Sequence, residues 1–542
     1  MRNQGHPQRS GTKMDRFLAL MQEGQFAEAI KIGTRLAQKS KADPELLNYL
    51  GMAHGQLGQF EQAVQRLTLA TKLRPHFAWA HNNLGTALRN LGQLDAAASA
   101  IETAISLQAS YAEAHNNLGN VRVDQDDFAA AITHYEAAIA AEPTYVRAHN
   151  NLCEVLEKTN QMDAFAAALD TAQLHCPPND PRLLLHLGKQ ASRDKDYAAA
   201  RDHLSKIRPE QVVSDVGIAA IELLGKAYDR LGDYDKAFAC FTRMNEMTIQ
   251  VMGITSSTIA AYTDEVRALA DSWDKAETAN IPHERDPDQG ADLVFLVGFP
   301  RSGTTLLDTV LRGHADITVI EEGPMAERVD AAFGQLATAE HLAALPDDSA
   351  QDLRNLYRAE LERANGGTPT TALIIDKMPL NLRHAGLMHR LFPAAKFIVS
   401  LRDPADSVLS CYMQNFAVNT AMASFLSLSQ SATLYDQIWR LWRAYEAALP
   451  LHSFYLKYED LVSDMEATVT PLIAFLGLAW DDSIIEYQAT ARQRTNINTP
   501  SYNQVTQSLY TQAMQRWRRY DDKLAPILPL TQKWSKEWDY PV

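Results

Sequence analysis

Apolar positions in the first half of the chain return with a period of 34 residues. Leu50, Leu84, Leu118 and Leu152 keep it, followed by Gly51, Gly85, Gly119 and Cys153. Ala70, Ala104, Ala138 and Ala172 hold the same spacing, as do Pro75, Pro143 and Pro177, with Ala109 breaking the proline series. A repeat of this length predicts one helix pair per unit, its two apolar stripes separated by the turn signals Gly58-Gln59, Gly92-Gln93 and Asp126-Asp127. Small residues such as Gly51 and Ala63 let the two helices approach closely. Each unit leaves an apolar face bare until its neighbour stacks on it, so the array must run on for several units. Looser copies appear at Gly24-Gln25-Phe26 with Ala29, at Leu187-Gly188 with Tyr197, and at Leu224-Gly225 with Gly232-Asp233-Tyr234. About seven units therefore reach residue ~248, with a helical cap completing an all-α superhelix over 1–275. Residues 276–291, rich in Asp, Pro and His, read as a linker.

From residue 292 the pattern changes. Leu293-Val294-Phe295-Leu296-Val297 is a continuous apolar run, which predicts a buried strand. Gly298-Phe299-Pro300-Arg301-Ser302-Gly303-Thr304-Thr305 follows at once, and a helical pattern begins at Leu306. Strand, tight loop and helix start make an anion cradle, because backbone N–H groups and the positive end of the helix dipole converge there. In this loop Gly-x4-Gly is followed by Thr rather than by the lysine of nucleoside-triphosphate loops, and the cation, Arg301, sits inside the loop. A Mg-ATP kinase or ATPase is therefore disfavoured against transfer from a donor that needs no metal. About a hundred residues on, the strand-like Lys396-Phe397-Ile398-Val399-Ser400-Leu401 runs into Arg402-Asp403-Pro404, with Ser410 two helical turns later. A guanidinium at a strand end suits a terminal phosphate, although an Arg-Asp pair there is often only a local ion pair.

These segments resemble two known families. The repeats resemble tetratricopeptide repeats. Val297 to Leu307 resembles the 5′-phosphosulfate loop of sulfotransferases, an α/β P-loop-like fold with a central parallel sheet, here over 292–542. His314-Ala315-Asp316 leading to Glu321-Glu322, Asp376-Lys377-Met378-Pro379, Tyr458 in Lys457-Tyr458-Glu459-Asp460-Leu461, and Ser501-Tyr502-Asn503 before Arg516-Trp517 are similar to tyrosylprotein sulfotransferases. That resemblance implies 3′-phosphoadenosine 5′-phosphosulfate as co-substrate and no metal. It implies donor contacts from Arg301, Ser302, Gly303, Thr304, Thr305, Arg402, Ser410, Tyr458, Ser501 and Arg516. It assigns Glu322 as the base that takes the acceptor hydroxyl's proton, with Arg301 and Lys377 neutralising developing charge. Glu321 is the less certain neighbour, and His314 is assigned a structural role. Arg516 stands where the tyrosyl enzymes carry Lys. Glu322 is followed by Gly323-Pro324 where they carry an acceptor-binding Arg, which leaves Tyr, Ser, Thr, a sugar hydroxyl or a small phenol open as acceptor.

Three successive units carry one tripeptide, His81-Asn82-Asn83, His115-Asn116-Asn117 and His149-Asn150-Asn151. By resemblance to other arrays Asn83, Asn117 and Asn151 face the concave side, like the Asn ladder of the O-linked N-acetylglucosamine transferase superhelix, which holds extended polypeptide. An amide can both donate to and accept from a peptide backbone, so a peptide or protein would be acceptor or docking partner; the same amides would equally serve to bridge neighbouring repeats. Histidines 34 residues apart do not make a metal site.

Composition narrows the rest. The 542 residues are 46% hydrophobic and 22% charged, ordinary for a chain that folds throughout. A net charge of −15 opposes general binding to nucleic acid or acidic membranes, so any anion must be held locally. Four scattered cysteines, Cys153, Cys176, Cys240 and Cys411, indicate neither a zinc site nor a disulfide framework. A polar start without a secretory pattern, and no run of about 20 apolar residues, lead to an expected cytoplasmic location. The competing reading is a repeat scaffold whose α/β domain binds nucleotide without turnover.

Overall fold

A computed structural model describes residues 13–39, 43–212, 214–275, 289–368, 371–487 and 514–542. The chain divides into two compact units, Met1–Ile207 and Arg208–Val542. The first holds, among the described residues, six helix pairs, of which Ala78–Asn90 with Leu94–Leu107 and Ala112–Asp124 with Phe128–Ala141 are typical. The glycine of the repeat is fixed by contact within its own pair: a Cβ at Gly85 would collide with Ile101 and with the Ala97 carbonyl. The turn inside each pair needs a left-handed residue, and the chain supplies Gly58 (φ 71°), Gly92 (φ 73°), Asp126 (φ 59°), Asn160 (φ 56°) and Lys195 (φ 62°). Stacking then closes the core between pairs, with Ile101, Leu118 and Val121 in one cluster and Tyr135, Leu152 and Phe165 in the next.

The second unit is built on a sheet of five parallel strands. They are β1 (Leu293–Gly298), β2 (Ile317–Glu321), β3 (Leu373–Lys377), β4 (Lys396–Leu401) and β5 (His452–Lys457), ordered β2-β3-β1-β4-β5. Both faces are covered, which is why β1 reads as an unbroken apolar run. Leu293, Phe295 and Val297 point into the larger core, and Val294 and Leu296 into the smaller one on the other face. After β1 the chain moves toward β2 and after β4 toward β5, on opposite sides. The carboxyl ends of β1 and β4 therefore flank the crevice where parallel sheets of this kind hold ligands.

The units divide at Ile207, ahead of the linker read from the sequence at 276–291, most of which lies outside the described residues. The seventh helix pair, Ser214–Leu231 with Tyr234–Met252, and the following helix Ser256–Trp273 pack into the α/β unit. The reason is burial: Phe241, Met244, Val266 and Trp273 share one apolar cluster with Phe295 and Val297 of β1. Trp273 Nε1 also donates to the Ala337 carbonyl at 3.0 Å, and Asn245 Nδ2 to the Tyr412 carbonyl at 3.0 Å. Among the described residues no helix is long and apolar enough to cross a membrane.

Candidate active site

The loop after β1 is tightly folded. Arg301 (φ 70°) and Gly303 (φ 93°) both take left-handed backbone, which swings the chain into the helix Thr304–Leu311. Gly303 caps that helix without a side-chain acceptor, so the first-turn N–H groups stay directed at the crevice. A Cβ at Gly303 would collide with the Tyr458 ring. The Ser302 hydroxyl, also in the loop, is buried and has no hydrogen-bond partner among the described residues. Uncapped amides beside an unsatisfied hydroxyl fit an anionic group.

Two arginines lock the crevice. Arg402, just past β4, donates from Nη1 to the Arg301 carbonyl at 3.0 Å, and its guanidinium lies 5.1 Å from the Tyr458 ring centre. Arg301 in turn donates from Nε to the Ser410 hydroxyl at 3.1 Å. The sequence pair Arg402 and Ser410 is thus bridged through Arg301. Burial lowers the Arg301 pKa to about 10, with Arg402 and Arg516 near enough to add to the lowering, and the group stays charged at neutral pH. Asp403 caps the Ser410 helix, Pro404–Tyr412, by accepting from the Ala405 and Asp406 amides.

A second cluster forms where β2 and β3 end. Glu321 and Lys377 stand opposite each other in register. Lys377 is fully buried; its Nζ lies 2.8 Å from Glu321, 3.2 Å from Glu322 and 3.9 Å from Asp308. Asp308 comes from the first turns of the loop helix, so this contact ties the lysine to the anion cradle. Glu322 extends the strand ladder by donating its N–H to the Lys377 carbonyl at 2.8 Å, then turns at φ 51°. That turn separates the two glutamates: the Glu321 side chain is 13% exposed, the Glu322 side chain 41%, and an incoming molecule can reach the second.

The same strand carries a buried acid on its other face. Asp376 accepts from the Tyr357 hydroxyl at 2.9 Å, and burial raises its pKa from 3.8 to about 7. The unfolded chain then loses this proton first. Stability contributed by the residue falls as pH rises from about 4 to about 7 and is level above that. Asp376→Asn should therefore gain thermal stability relative to the unaltered chain between melts at about pH 5 and about pH 8. An equal difference at both values would contradict it.

Residues 293–482 match the sulfotransferase family, and residues 48–112, 116–182 and 218–247 match tetratricopeptide repeats. The chain joins tetratricopeptide repeats to a sulfotransferase domain. That domain is distantly similar to protein-tyrosine sulfotransferases. It is 26% identical over 241 residues to protein-tyrosine sulfotransferase 1 of Danio rerio, which covers 42% of this chain and 65% of the relative. The Homo sapiens enzyme 1 is 25% identical over 237 residues, covering 42% and 63%. An uncharacterized protein of Aquifex aeolicus (strain VF5) is 25% identical over 370 residues, 64% of this chain and 46% of that one. The chain thus spans about half to two thirds of the length of these relatives. Among solved structures, a crystal structure of MamA is 26% identical with a TM-score of 0.27, covering 29% of this chain and 93% of that one.

Within the sulfotransferase domain His314 is committed to backbone on both sides: Nε2 pairs with the Ala479 carbonyl at 2.9 Å and Nδ1 with the Asp316 amide at 3.0 Å. Ser501 lies outside the described residues. Arg516 forms a two-point ion pair with Asp229. Asp308 and Asp229 are site neighbours that sequence reading missed; a lone Asp inside the apolar stretch Leu306 to Leu311 was the available signal for the first. In the repeats, Asn83 donates to Asn48 at 2.8 Å, Asn117 to Asn82 at 2.9 Å and Asn151 to Asn116 at 2.8 Å. Their amide nitrogens bridge successive units, the role that the sequence left open beside ligand binding. His81, His115 and His149 each pair through Nε2 with the carbonyl six residues back. No group of metal-ligating side chains occurs among the described residues.

Proposed function

We propose that the sulfotransferase domain moves a sulfuryl group from 3′-phosphoadenosine 5′-phosphosulfate to a hydroxyl on a peptide or protein docked on the repeats. The observation that carries this reading is the contact of one buried lysine, Lys377, with Glu322, Glu321 and the loop helix at once. The donor supplies an activated sulfur whose leaving group is adenosine 3′,5′-bisphosphate. Glu322 takes the acceptor proton as the new oxygen–sulfur bond forms and the bond to the 5′-phosphate oxygen breaks. Lys377 and Arg301 offset negative charge on the sulfuryl and bridging oxygens in a site with little water to screen them. Ser302 and the amides of Gly303, Thr304 and Thr305 hold the 5′ end, and Arg402 with Ser410 the 3′-phosphate. The protein-tyrosine sulfotransferases carry a protein hydroxyl in their name, which supports a protein acceptor here. The repeat array supports the same choice.

Isothermal titration with adenosine 3′,5′-bisphosphate tests the donor half. The unaltered chain should bind, and Arg402→Ala should weaken binding by about 10- to 100-fold, as expected for loss of a charge-assisted phosphate contact. Equal, negligible binding by both would remove the donor assignment.

A further inference from the structure

One buried acid beside the site has no part in the transfer described above. Asp229, on the helix Ser214–Leu231, gathers three donors. Arg516 reaches it with Nε at 3.2 Å and Nη2 at 3.1 Å, and the Tyr520 hydroxyl donates at 2.5 Å. The turn that carries these donors, Arg516–Tyr520, is also strapped to the Arg402 side of the crevice. There the Trp517 amide donates to Asp406 at 2.8 Å and its indole to Asp403 at 3.2 Å.

We propose that Asp229 is a positioning residue for the donor nucleotide, holding Arg516 by one edge so that its other edge meets a donor phosphate. This rests on the sulfotransferase reading. A guanidinium presents five N–H groups in a fixed plane. A carboxylate paired with Nε and Nη2 occupies one edge, and Nη1 with the second Nη2 hydrogen points away from it. The charge also matters. Arg301, Arg402 and Arg516 lie close enough together for the latter two to disfavour the charged form of Arg301, and the carboxylate of Asp229 offsets part of that repulsion before an anion arrives. The residue comes from the seventh helix pair, which matches a tetratricopeptide repeat over 218–247, so a repeat-type helix supports a nucleotide contact in the α/β unit.

The test uses the full chain. Asp229→Asn should weaken adenosine 3′,5′-bisphosphate binding about tenfold in isothermal titration, the scale of one misaligned charge-assisted contact. The donor KM should rise in parallel, while the acceptor KM and the turnover at saturating donor stay level. Arg516→Ala should lose a similar factor, and the double variant should bind no more weakly than Arg516→Ala alone. Tyr520→Phe, which keeps the Asp229–Arg516 pair, should bind within about twofold of the unaltered chain. Unchanged binding by Asp229→Asn, or losses that multiply in the double variant, overturn the inference even if the chain binds nucleotide. A fall in thermal stability without a change in affinity overturns it as well. No nucleotide binding by the unaltered chain would sink the donor reading and this inference together.

Discussion

Glu322→Gln should lower turnover by about 10²- to 10⁴-fold while leaving bisphosphate affinity unchanged, the size expected for removing a general base. The amide keeps the shape of the side chain but cannot take a proton. Lys377 retains Glu321 at 2.8 Å and Asp308 at 3.9 Å as counter-charges, so the substitution does not strand a buried cation. The measurement is mass-spectrometric detection of an added mass of about 80 daltons, that of SO₃, on hydroxyl compounds supplied with the sulfated donor. Full turnover by Glu322→Gln together with its loss in Glu321→Gln would move the base one residue back, onto the better-shielded carboxylate.

The second large effect concerns folding. A fragment of residues 208–542 should give a cooperative thermal melt, whereas a fragment of residues 289–542 should not. Phe241, Met244, Val266 and Trp273 are all buried in the cluster that covers one face of the sheet. Each large apolar side chain contributes about 1.5–3 kcal/mol by burial. Four together rival a domain's whole stability of about 5–15 kcal/mol. Circular dichroism and limited proteolysis of the two fragments decide the matter. A sharp melt from the shorter one would mean that the helices 214–273 are an accessory layer.

The parts of this molecule that were legible in the sequence are those governed by short-range rules. A 34-residue period gave the helix pairs because Gly85 and its counterparts answer to a partner helix only a few residues on. An apolar pentad followed by Gly-x4-Gly placed β1 and its loop, and the cation inside that loop pointed away from nucleoside triphosphates. Contacts across long separations left no such trace. Arg516 and Asp229 are 287 positions apart, with no periodicity to connect them. Ser410 was paired with Arg402 by resemblance alone, and the contact of its hydroxyl with Arg301, which links the two, had no signal in the sequence. The placement of the seventh helix pair failed to show for the same reason: its repeat signature describes the fit of its two helices to each other, while Phe241 and Met244 are buried in the large apolar core of the α/β unit.

The turn at Arg516–Tyr520 also orders events in time. It joins a helix made before the sheet to one that follows β4, through Asp229, Asp403 and Asp406. During synthesis the crevice is left without this brace until the ribosome has passed position 520 and released the turn from its exit tunnel. A nascent chain therefore carries the strands, the anion loop and Arg402 well before the turn can brace the crevice between them.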